Sequence, residues 1–166
     1  MIKERFRWLA GVIAAHPNRE VYGRTRLQKT MKLLQRLRLP TDYTYKIFFY
    51  GPYSDGVQAD IGLLEAFGLI TEDLKHAQDG TPYYVLRAAP EAKMEEVAPF
   101  QPTIDLLSET PLVVLELAAT YDAFRETGSD HAEAVQRLRR KKGSKCDDGN
   151  QEKALELLVA LGLEAK

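Results

Sequence analysis

The chain is poor in the residues that most often carry chemistry, with one cysteine and three histidines among 166 residues. A lone Cys146 forms no internal disulfide framework and fits a reducing compartment. His16, His76 and His131 have no metal-ligand spacing, either among themselves or with Cys146. No glycine-rich phosphate loop and no nucleophile elbow is present. Lys145 would favour a Cys146 thiolate, but Asp147 and Asp148 oppose it, so Cys146 reads as an incidental loop residue. Asp60 with the triplet Asp73-Leu74-Lys75 is the nearest approach to a metal-dependent nuclease pattern, and acid-x-lysine triplets are common. No catalytic, cofactor-binding or metal site is therefore expected. No stretch reaches the roughly 18 apolar residues that span a bilayer. The opening segment, IKERFRWLAGVIAAH, has charges where a secretory signal has an unbroken apolar core. A cytoplasmic protein with no membrane partner is the expectation.

What is present is enough for a core: 45% hydrophobic and 28% charged residues. Charge is segregated along the chain. Residues 1–50 hold eleven Lys/Arg against three Asp/Glu, residues 51–135 four against sixteen, and residues 136–166 eight against five. Such polarity can steer a partner, or cancel when the blocks interleave in space.

Hydrophobic periodicity places a helix on Ile2, Phe6, Leu9 and Ile13, with Pro17 beyond its end. GRTRLQKTMKLLQRLRLP puts Leu27, Met31 and Leu34 on one face and Lys29, Lys32 and Arg36 nearly opposite, predicting an amphipathic helix with a basic outer stripe. Residues 44–50 read as an aromatic strand, turned by Gly51 and Pro52 into a helix that Ser54 caps and Gly68 ends. Tyr50 and Tyr53 brace this corner. Two strands, LITEDLK and PYYVLR, flank a turn at Asp79-Gly80. Three helices follow: a nearly all-apolar one capped by Thr110-Pro111, one from Asp130 to Gly143, and one from about Asn150 to Leu161.

The expected fold is α+β and mostly helical. Residues 1–88 form a winged helix-turn-helix-like domain with a small antiparallel sheet, residues 89–109 a Pro-containing connector, and residues 110–166 a three-helix subdomain. The helix in the recognition position, SDGVQADIGLLEAF, holds no Lys or Arg and three acids, Asp55, Asp60 and Glu65. Only Gln58 suits a base edge, so groove reading through this helix is disfavoured.

Basic residues lie elsewhere, at Arg24, Arg26, Lys29, Lys32 and Arg36, and at Arg137, Arg139, Arg140, Lys141 and Lys142. Each set reads either as a solvated face or as a contact for nucleic acid or an acidic partner. The second set exceeds what a helix C-terminus needs for its dipole. Tyr43, Tyr45, Tyr50, Tyr53, Tyr83 and Tyr84 cluster around the strands, where they either pack the sheet or form a partner surface.

TRLQKTMKLLQRL followed by YKIFFYGPYSDGVQADIGLLEAFGLI resembles the YwgA-like family of small bacterial proteins, over about residues 24–70. Leu27, Gln28, Lys29, Leu33, Leu34, Tyr50, Gly51, Pro52, Tyr53, Ser54, Asp60, Leu64, Gly68 and Leu69 carry the resemblance. A remoter similarity is to the Panacea antitoxin domain, which also pairs an LQK helix with a YGP corner and neutralises toxins chiefly through protein contact. Neither resemblance implies catalytic residues. Together these features lead to a non-enzymatic winged-helix-like adaptor or regulator that binds protein, with an antitoxin or defence association and a homodimer among its expected settings. The alternative is a nucleic-acid-binding transcriptional regulator using the basic helix 24–38 and the tract 137–145.

Overall fold

A computed structural model describes residues 2–163, with side chains from Arg5 to Leu163. The side chain of Ile2, part of the expected apolar face, and residues 164–166 of the expected C-terminal subdomain lie outside the described residues. Among the described residues are seven α-helices and five β-strands, an α+β architecture dominated by helix. No helix among them is long and apolar enough to cross a membrane.

The chain forms two compact units. One comprises the stretch up to Tyr45 together with Ser54–Glu109; the other comprises Lys46–Tyr53 and the stretch from Thr110 onward.

The first unit begins with α1 (Ile2–Ala15), β1 (Glu20–Tyr22) and α2 (Arg24–Arg36). Residues 46–53, which contain strands β2 (Lys46–Phe48) and β3 (Gly51–Tyr53), depart to the other unit. The first unit resumes with α3 (Asp55–Ala66), β4 (Ile70–His76), β5 (Pro82–Ala88) and α4 (Gln101–Glu109). Its sheet is antiparallel in the order β1-β5-β4, with Val21 opposite Leu86 and Ile70 opposite Ala88. Two helices interleaved with a short first strand, then a third helix and a hairpin, is a winged-helix-like order.

The strand that completes this sheet is not the expected one. Glu20–Tyr22 supplies it, whereas the aromatic residues 44–50 pair elsewhere. Three residues are too few for periodicity to reveal.

Helix α3 is capped as its sequence predicts: the Ser54 hydroxyl accepts from the Val57 N–H at 3.2 Å. It ends at Gly68, whose φ of +74° is left-handed. There the Leu69 N–H returns to the Leu64 carbonyl at 2.9 Å and the Gly68 N–H to Glu65 at 3.0 Å, satisfying two carbonyls that the helix end would orphan. Residues 89–109 are no linker. They fold as two short 3-10 turns and α4 and bury Val97, Ile104 and Leu107. Gly11 lets α1 approach this segment, because a Cβ there would lie 2.9 Å from Cβ of Met94.

Helix α2 departs most from its predicted form. Every residue from Leu27 to Leu34 is buried, and Lys29 and Lys32 are only 2% and 4% exposed. The basic outer stripe expected from the helical pattern does not face solvent. A helix covered all round has no polar side, so the charges sit inside and must be matched there. Lys29, Lys32 and Arg36 are each engaged in interactions.

In the second unit, β2 and β3 form a hairpin with Phe48 opposite Gly51, so the chain reverses at Phe49-Tyr50. Gly51 and Pro52 are buried strand residues of that hairpin and do not form its turn. Helix α5 (Leu112–Glu126) is buried from Val114 to Phe124. Its cap position falls on Pro111, and no side chain caps it. Helices α6 (His131–Lys142) and α7 (Asn150–Ala160) follow. Asp130 caps α6 through the Glu133 N–H at 2.9 Å, and Gly143 ends it.

Candidate functional site

Ser54, the last residue of the YGPYS motif, is held by α2. The Gln28 side-chain amide donates to the Ser54 carbonyl at 3.0 Å and its oxygen accepts the Ser54 N–H at 2.8 Å. Seven residues on, two turns along the same face, Gln35 repeats the device. Its oxygen accepts the Tyr43 N–H at 2.9 Å and the Thr41 hydroxyl at 2.8 Å, and its amide donates to the Tyr43 carbonyl at 2.9 Å. Two glutamines thus pin the chain on either side of residues 46–53. Gln28 stands inside the LQK motif, but nothing in the sequence marks either amide as a clamp.

Beside this clamp, buried Asp60 accepts from the Tyr43 hydroxyl at 2.6 Å and from Arg5 Nε at 3.0 Å. The Arg5 guanidinium also lies 4.7 Å from the centre of the Tyr43 ring. Burial, reinforced by the bond to Asp60, drives the Tyr43 hydroxyl well above the usual tyrosine range. Asp60 is therefore committed to structure, which removes the carboxylate that the nuclease-like pattern needed. No cluster of three metal-ligating side chains occurs among the described residues. Cys146 is buried, and burial raises its thiol, the opposite of an activated nucleophile. His131 Nδ1 lies 2.7 Å from the Tyr121 hydroxyl.

Two cations of α2, Arg24 and Arg26, are occupied within the first unit. Arg24 forms a two-pronged pair with Glu72, both bonds 2.5 Å, and reaches Glu65 at 3.9 Å. Arg26 donates to the Leu107 carbonyl at 2.9 Å, and burial lowers its affinity for the proton. With Lys29 and Lys32 buried, this helix offers phosphates little.

The outer face of α3 is apolar instead. Ala59, Gly62, Leu63, Ala66 and Phe67 recur at spacings of three, four, seven and eight residues, and all are exposed. Phe67 stacks on Phe6 with ring centres 6.0 Å apart. On the wing, Leu74 and Tyr84 sit directly opposite each other and are exposed.

The basic tract 137–145 divides into members paired among the described residues and members that are simply exposed. Lys142 is buried against Glu116 at 2.9 Å and donates to the Phe49 carbonyl at 3.1 Å. Lys145 shares Glu116 at 3.0 Å and lies 5.2 Å from the Tyr50 ring centre. Arg139 reaches Gln151 at 2.8 Å and Asp147 at 3.7 Å. Arg137 donates to the Ser129 hydroxyl at 2.9 Å and stacks 4.0 Å over Phe124. Arg140 and Lys141 are exposed and, with Arg137, Ile47 and Phe124, line a groove of about 280 Å³.

Of the six tyrosines expected around the strands, Tyr53 lies on β3, Tyr83 and Tyr84 on β5, and the other three on no strand. Tyr43 is buried, Tyr45 buries its hydroxyl, Tyr50 is exposed at the hairpin turn, and Tyr53 packs edge-on against Phe48 at 5.5 Å. Tyr50 therefore does not brace the corner as expected. No protein-family model matches the chain, and comparison with curated proteins finds no match.

Proposed function

We propose that the protein is a non-enzymatic, winged-helix-like adaptor that binds another protein through the outer face of α3. The carrying observation is the exposed stripe Ala59, Gly62, Leu63, Ala66 and Phe67 on a helix without a single Lys or Arg. Small residues let a partner helix approach closely while Leu63 and Phe67 supply area to bury, the pattern of helix-in-groove recognition. A DNA reader needs cations at this position, and the two that reach α3 are spent, Arg5 on Asp60 and Arg24 on Glu72 and Glu65. The LQK and YGPYS motifs, which carry the YwgA-like resemblance, meet in the Gln28–Ser54 pair, so they serve to seat this helix. Antitoxin-like neutralisation of a partner encoded by an adjacent gene, in the cytoplasm, fits this mode, as does pairing with a second copy.

The test is affinity capture of the neighbouring gene's product, with light scattering for self-association. The native chain should form a complex of defined stoichiometry, and Leu63→Glu should abolish it while leaving the circular dichroism spectrum unchanged. A monomer that captures nothing, or a complex indifferent to Leu63→Glu, would contradict the proposal. The rival regulator reading finds no support in α2; its remaining basis, the 137–145 tract, leads to a different ligand.

A further inference from the structure

We infer that the second unit carries a binding site for single-stranded nucleic acid, made by the 48–50 turn and the C-terminal half of α6. The site is independent of the α3 face.

Phe49 is 89% exposed, and its neighbours Phe48 and Tyr50 are also exposed. Three adjacent aromatic rings at a hairpin turn are costly to leave in water, and Phe-Tyr is poor turn chemistry. The turn is nonetheless fixed. Lys142, itself buried and paired with Glu116, holds the Phe49 carbonyl at 3.1 Å, while Lys145 lies over the Tyr50 ring. The aromatic turn is thus bolted to the most basic stretch of the chain, RLRRKKGSK, by that stretch's own lysines.

From Arg137 to Lys145 there are six cations and no acid. Glu116 offsets part of Lys142 and Lys145, and Asp147 part of Arg139. Arg140 and Lys141, exposed and without an ion-pair partner among the described residues, stand on the groove that Arg137 also lines, and Ile47 in its wall directly precedes Phe48. A cationic groove beside aromatic rings is the combination that holds a nucleic-acid strand, phosphates in the groove and bases on the rings. A duplex keeps its base faces closed and has no use for the rings. An anionic bilayer would press on exposed Asp147 and Asp148 beside Lys145, whereas a thread can follow the groove and pass them by.

The test is fluorescence anisotropy of a labelled oligouridine of about 12 nucleotides with the full chain, titrated over salt. Saturable binding should appear, with a logarithmic salt slope of about −2 for three neutralised phosphates. Phe49→Ala should weaken binding about tenfold, and Phe49→Trp should retain it. The pair Arg140→Ala and Lys141→Ala should flatten the slope by about 1.4. Leu63→Glu should leave all of this unchanged, which separates the site from the α3 proposal. The inference is overturned by absence of binding, by binding insensitive to Phe49→Ala, by equal affinity for a duplex of the same length, or by capture on phosphatidylserine vesicles in place of the oligonucleotide.

Discussion

Gln28 and Ser54 face each other as residues of two paired strands would, although one contributes a side chain and the other its main chain. The two bonds, 3.0 and 2.8 Å, are buried, and they fix the residue that caps α3. Local capping alone cannot set the direction of a helix; the glutamine supplies the reference from α2.

Replacing Gln28 with leucine of similar volume should therefore expose this dependence. The Ser54 carbonyl keeps its helical bond from the Gln58 N–H at 3.2 Å, but the Ser54 N–H would be buried without an acceptor. We expect a loss of about 2 kcal/mol in urea unfolding, since an orphaned buried donor costs about 1–3 kcal/mol. A change below about 0.5 kcal/mol, the range of an inert surface substitution, would show that the clamp is dispensable.

The same pair shows how much of the molecule could be read from its sequence. Elements with local punctuation were legible: Ser54 and Gly68 bound α3, Asp130 and Gly143 bound α6, and the wing hairpin follows from its alternating strands around Asp79-Gly80. What failed is what only tertiary structure decides. Lys29 and Lys32 look solvent-bound by helical phase, yet the helix is covered on that side as well. Residues 44–50 look like a strand of the first sheet, but a strand does not announce its partner, and the part that forms one, Lys46–Phe48, pairs with Gly51–Tyr53. For the α3 face, the missing positive charge was visible in the sequence; the exposure of Leu63 and Phe67 was not, because their apolar character suits a core equally well.

His16 provides a pH prediction. It is buried, with Nδ1 2.7 Å from the Val12 carbonyl, and Nε2 has no partner. Burial is the main cause that holds its pKa below the ordinary histidine value. The unfolded chain therefore takes up a proton below pH of about 6.5 that the folded chain refuses. Stability from this residue is complete above that pH and falls as pH drops toward the depressed folded value, by at most about 1.4 kcal/mol per pH unit. His16→Gln should remove this part of the acid slope below about pH 6.5 in denaturant titrations. An unchanged slope would mean that His16 titrates alike in both states.

The Glu116 pair with Lys142 makes the sharpest stability test, because both side chains are buried, at 4% and 2% exposure. Lys142→Met would leave Glu116 with Lys145 alone, which is half exposed and screened. It would also free the Phe49 carbonyl from its donor. Breaking one side of such a pair typically costs about 3–5 kcal/mol, while replacing both members with apolar residues of similar volume is far milder. We expect Lys142→Met to cost about 3 kcal/mol and Glu116→Leu, which strands Lys142, a similar amount. The double variant should be more stable than either single one. Strict additivity in this cycle would show that the charges are solvated independently and that Lys142 does not hold the aromatic turn through its pairing with Glu116.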